Sequence, residues 1–178
     1  MEKYVAHRNE FTGSIQTVKV HCENTAELCR KFSIPELKDF LFVIGLLHDV
    51  GKYQESFTKR INGANIRVEH STCGALAACE NYTTGPMALM MEYCIAGHHS
   101  GIPDGGFAND SSDMPTLQGR MKRQFEDYSE YKSELFLPEL IVFLFNRIRV
   151  SKGGFKFFDW QLAQSRVYFV PLYENKKI

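Results

Sequence analysis

Hydrophobic residues recur at three- and four-residue intervals through most of this chain, the spacing of a helix that buries one stripe. Ile15, Val18, Cys22, Ala26 and Cys29 form the first stripe, with His21 beside it. Ser14 is placed to cap that helix, which should run to about Phe32. Ser33 and Pro35 restart the chain, and Leu37, Phe40, Leu41, Ile44 and Leu47 mark a second helix. From Phe40 onward it is apolar nearly all round, which predicts a central position. His48-Asp49 ends it, and Gly51 supplies the stop. A short helix is expected near 54–61, closed by Asn62-Gly63. His70 then opens another, with Cys73, Ala77 and Ala78 facing inward, and Thr83-Thr84-Gly85-Pro86 breaks it. Pro86 suits the first turn of a further apolar helix that reaches about Gly97.

Residues 1–13 read as an irregular lead-in. Residues 100–115 (SGIPDGGFANDSSDMP) are the one long stretch rich in Gly, Pro, Ser and Asp, and a loop of that length in a compact domain tends to be functional or disordered. Two more helices are expected near 116–131 and 134–150. An aromatic-basic piece at 152–160 and a short strand at 167–172 complete the chain. Period-2 alternation is nearly absent and no repeat occurs. The predicted class is all-α: one compact helical bundle over residues 1–178, with a site where helix ends converge.

Composition narrows the function. With 21 basic and 21 acidic residues the chain carries no general cationic coat, so any nucleic-acid contact must use a local patch. Five cysteines without C-x-x-C spacing read as reduced, buried thiols. The N-terminus lacks an apolar signal core, and the longest apolar run, Phe40 to Leu47, is too short to span a bilayer. A soluble, cytoplasmic protein is expected, with no membrane partner.

The chemistry concentrates in Leu46-Leu47-His48-Asp49-Val50-Gly51-Lys52, His70 and the pair His98-His99. All fall at ends of predicted apolar helices, where they can share one cleft, and His21 comes from a helix able to pack on the central one. Imidazoles bind borderline metals and a carboxylate can bridge two ions. That donor set exceeds one structural zinc and suits a hydrolytic centre of one or two divalent ions, which acidifies a bound water and clamps the oxygens of a phosphoester. Asp49 and Lys52 are the candidate catalytic groups, Lys52 being placed to neutralise charge on phosphoryl oxygens. Asp49→Ala is expected to remove metal rather than core.

These residues resemble the HD superfamily of metal-dependent phosphohydrolases, and more narrowly the HD nuclease domain of the CRISPR type I helicase-nuclease. The match runs over about residues 4–105: Tyr4-Val5-Ala6-His7, His21, the 46–52 stretch, Glu69-His70-Ser71 with Gly74-Ala75, and Ile95 to Asp104. Paired histidines followed by Gly-x-Pro-Asp are its most specific part. The resemblance implies a helical domain that cuts single-stranded DNA. Its divalent metal (Mn, Ni, Co, Fe or Mg) would be held by His21, His48, Asp49, His70, His98 and His99. It also implies a helicase subunit or domain and the Cascade surveillance complex as partners. No Walker motif occurs here, so the expectation is a stand-alone nuclease subunit or an excised domain.

One departure stands out. The family carries a further metal-binding aspartate late in the domain, where this chain reads Asn146-Arg147-Ile148-Arg149. Asp159 is the available substitute. Two alternatives follow: an HD phosphohydrolase acting on nucleotides or cyclic nucleotides, and a degenerate HD module that docks a helicase or Cascade. For DNA, the 100–115 loop is the candidate contact, acting as a mobile lid. Arg147, Arg149, Lys152 and Lys156, interleaved with aromatics, are a weaker candidate.

Overall fold

The computed structural model describes residues 4–82 and 86–140. Helices carry it, as the apolar periodicity predicts, and the sequence-predicted lead-in departs from expectation. Val5–Arg8 (β1) pairs antiparallel with Ile15–Thr17 (β2), Val5 opposite Thr17 and Arg8 opposite Ile15. Gly13, at φ 71°, supplies the left-handed turn between them. The ladder claims residues 15–17, so Thr17 and not Ser14 caps the first helix, α1 (Val18–Phe32). The Thr17 hydroxyl accepts the Val20 N–H at 3.2 Å. Ile15 is consequently exposed, and the buried stripe begins at Val18.

A 3-10 turn at Pro35–Leu37 leads into α2 (Lys38–Leu47). Six of its apolar side chains, Phe40, Leu41, Val43, Ile44, Leu46 and Leu47, are buried, which makes it the central helix foreseen from its composition. A second 3-10 turn, Val50–Tyr53, precedes α3 (Glu55–Ile61). Then come α4 (Ser71–Asn81) and α5 (Pro86–Gly97). α1 packs on α2, α4 packs on α5, and α2 touches both α4 and α5. Val18, Cys22, Leu47, Met91 and Ile95 meet in the shared core. At Gly74 a Cβ would lie 2.2 Å from the Leu47 carbonyl and 2.7 Å from Ile95 Cγ2. Only glycine lets α4 approach the end of α2 that closely.

The helix expected over 116–131 is a correction: only Leu117–Arg120 (α6) is helical there. The next helix is Tyr131–Glu134 (α7), and residues 135–140 are not helical. The cause is long-range. Lys122 Nζ donates to the carbonyls of Ala108 and Asp110, and Arg123 donates to those of Ser112 and Met114. The 104–118 segment is tied in further by Leu117 N–H to Asp104 O (2.8 Å) and Thr116 Oγ1 to Asp110 Oδ2 (2.6 Å). The loop expected as a mobile lid is thus a laced wall.

The five cysteines are free, with Cys22, Cys29 and Cys73 buried, but Cys79 is exposed, against expectation. No helix among the described residues is long and apolar enough to cross a membrane. The remainder of the predicted 134–150 helix, Asn146, Asp159, the 152–160 piece and the 167–172 strand lie outside the described residues.

Candidate metal centre

Separate helices deliver the ring nitrogens to one carboxylate. His21 comes from the first turn of α1, His48 from the C-terminal end of α2, and Asp49 from the next position. His70 stands at the N-terminus of α4, and His98-His99 follow the last turn of α5. Gly51 sets the spacing between the Asp49 turn and α4. A Cβ there would sit 2.2 Å from the His70 carbonyl oxygen and 2.7 Å from its Cα. The glycine therefore allows His70 to reach Asp49 at all.

Asp49 is almost fully buried, and its two oxygens face different partners. Oδ2 is 2.8 Å from His21 Nε2, 3.1 Å from His48 Nε2 and 2.8 Å from Lys52 Nζ. Oδ1 is 3.3 Å from His70 Nε2 and 3.4 Å from His98 Nε2. His99 joins through His70, Nε2 to Nε2 at 2.8 Å. All seven residues singled out in the sequence thus meet in one place. Burial alone would raise the Asp49 carboxyl, but His48, His21 and His70 around it outweigh that and hold it well below the ordinary carboxylate range.

The donors fit a divalent cation. His48 Nδ1 lies 2.7 Å from the Gly45 carbonyl and His98 Nδ1 lies 2.7 Å from the Ile95 carbonyl, so each ring donates from Nδ1 and turns Nε2 inward. His70 Nδ1 does the same toward Val68 O at 3.3 Å. Burial lowers the His98 pKa, which favours the neutral ring, with a lone pair on Nε2. That buried Nε2 and the buried Asp49 Oδ1 have no hydrogen-bond partner among the described residues, although they stand 3.4 Å apart. Two acceptors facing each other in a dry site call for a cation between them. The ligand atoms of Asp49, His70, His98 and His99 all lie within 4.8 Å of one another. The negative C-terminal ends of α2 and α5 point the same way.

The family comparison agrees with this geometry. A family model described as HD domain matches residues 18–148. The chain belongs to the HD domain family. HD domains are typically metal-dependent phosphohydrolases, and the His/Asp cluster here supplies a potential metal site for that chemistry. No curated protein matches the chain.

One participant was missed in the sequence. His7 reaches the site from β1, its Nε2 3.3 Å from Lys52 Nζ, and with His21 and Asp49 it forms a second trio of mutually close donors. Tyr4-Val5-Ala6-His7 was noted in the resemblance, but within an expected irregular lead-in, and its alternation is too short to stand out as a strand that carries His7 to the site. Lys52, assigned to the substrate, is instead buried against Asp49.

Proposed function

We propose that this HD domain hydrolyses phosphodiester bonds of single-stranded DNA, with a divalent metal held by Asp49, His70, His98 and His99 and supported by His48 and His21. The bound ion would supply positive charge against the phosphoryl oxygens and a more acidic water. Asp49 orders the imidazoles, the Gly45, Ile95 and Val68 carbonyls fix their tautomers, and Lys52 balances the carboxylate charge.

The observation that carries this proposal is the cleft beside the site. It measures about 890 Å³, and His70 and His99 line it together with Arg60, Arg67, Arg120 and Arg123. Arg120 is committed to Thr72, Ser71 and Glu69, and Arg123 to the loop carbonyls. Among the described residues the guanidinium groups of Arg60 and Arg67 have no hydrogen-bond or ion-pair partner, so both stand ready for phosphates next to the metal cluster. In a chain of zero net charge this is the local basic patch that an anionic substrate needs. The preference for single-stranded DNA, and for a helicase and Cascade as partners, rests on the resemblance of residues 4–105 to the CRISPR nuclease.

A cleft of this size also admits a single nucleotide, which supports hydrolysis of nucleotides or cyclic nucleotides as a second reading. Incubation with Mn²⁺ and either circular single-stranded DNA or a nucleotide panel separates them. Cleaved circles support the nuclease; consumed nucleotides with intact circles refute it. The double variant Arg60→Ala/Arg67→Ala should flatten the salt dependence of DNA cleavage, by roughly 0.7 in log–log slope for each lost phosphate contact. Turnover of a small aryl phosphodiester should be unchanged.

A further inference from the structure

The Asp49 carboxylate has two faces, and each gathers further groups. On the Oδ1 side stand His70, His98 and His99; on the Oδ2 side stand His21, His48, His7 and the Lys52 ammonium. The faces differ in one respect. Among the described residues no lysine or arginine enters the first, whereas Lys52 Nζ sits inside the second, 2.8 Å from Asp49 Oδ2 and 3.3 Å from His7 Nε2.

We propose that Lys52 is a built-in cation that fills the second metal position, so the domain holds a single divalent ion, on the Oδ1 face. This rests on the metal-centre reading above. It assigns His7 a role as partner of the ammonium in the wild-type chain and as a latent metal ligand once the ammonium is gone. His7 precedes the segment matched by the family, so that match says nothing about it.

Three observations support it. The Lys52 side chain is only 5 % exposed, so its charge is confined to the site. Its backbone is fixed by the 3-10 turn that starts at Asp49, with Lys52 N–H bonded to Asp49 O at 2.9 Å, and the Phe57 ring lies 5.4 Å from Nζ. The stem thus has one short path, and it leads to Oδ2. The oxygen it occupies is also the one that a second ion would have to share with His7 and His21. A divalent cation placed there would meet a positive charge inside its own coordination distance and could bind only by expelling it.

The test is the number of Mn²⁺ ions taken up by the chelator-stripped full chain, measured by titration calorimetry and by electron paramagnetic resonance. Wild type should bind one ion and give an uncoupled Mn²⁺ spectrum. Lys52→Met, which keeps the stem and removes the charge, should bind two and show an exchange-coupled pair. Lys52→Arg should return the count to one, and so should Lys52→Met/His7→Ala. Two ions in the wild type, or one in folded Lys52→Met, overturns the proposal. His7→Ala in the wild-type background covers the case in which Lys52→Met does not fold. It should leave one ion bound with affinity within about twofold, and loss of that ion would make His7 a ligand already and refute the assignment. Wild type that binds no divalent ion sinks the metal-centre reading with it, whereas one bound ion without DNA cleavage leaves this inference standing and removes only the nuclease.

Discussion

Gly51→Ala probes how the site is assembled more sharply than loss of a ligand. The added Cβ would be placed 2.2 Å from the His70 carbonyl oxygen, and the nearest obstacles are all His70 backbone, so no side chain can swing aside. Restoring an ordinary contact of 3.4 Å requires the Asp49 turn and the start of α4 to separate by about 1.2 Å. His70 Nε2 starts 3.3 Å from Asp49 Oδ1, and that movement would carry it away from the shared centre. Overpacking of this kind costs about 1–3 kcal/mol. For a chain this long, each kcal/mol lowers the melting temperature by roughly 2–4 °C. Misplacing a reacting group by about 1 Å can cost on the order of 100-fold in rate. Thermal unfolding of the chelator-treated protein reads the first effect, and Mn²⁺ titration with hydrolysis rates reads the second. A folded Gly51→Ala variant with wild-type melting temperature and wild-type Mn²⁺ affinity would refute the close-approach explanation for His70.

Three other outcomes are expected. Leu47→Ala removes a fully buried side chain at the end of α2 and should cost about 2–5 kcal/mol in denaturant unfolding; a loss below 1 kcal/mol would count against its central position. Asp49→Asn should abolish metal uptake. It should also destabilise the metal-free fold by about 3–5 kcal/mol, because Lys52 is left buried without its anion; the sequence-based expectation for Asp49→Ala, loss of metal rather than core, lacked this cost. In chelator-treated protein, burial and then nearby positive charge lower His7 and His99 to about 4. Protons therefore bind the unfolded chain first, so the stability is complete above about pH 6.5 and falls as the pH drops toward 4. Stability that holds constant or rises through that window would contradict their neutral state in the folded chain.

The parts of the fold legible in sequence were those written in local periodicity. The apolar run from Phe40 to Leu47 announces a central helix because nearly every side chain in it must be buried, and it ends where His48-Asp49 and Gly51 interrupt it. The same logic located α4 and α5, with Pro86 at the start of α5, and the histidines at their ends. What escaped depends on partners far along the chain. Ser14 and Thr17 are equally good caps in isolation, and pairing of β2 with β1 decides between them. Lys122 and Arg123 look like the polar face of a helix until their bonds to loop carbonyls are seen. The clustering of the histidines around Asp49 was readable because each sits near a helix end. The division of Asp49 into two faces, with Lys52 and His7 on one of them, was not, since it depends on which oxygen each side chain reaches.

Crystals soaked in Mn²⁺ and recorded at its absorption edge test the centre most directly. An anomalous peak about 2.0–2.3 Å from Asp49 Oδ1 and the ring nitrogens of His70, His98 and His99 is the predicted result. A peak bonded to none of them, or full soaking with no peak in the cluster, would contradict it.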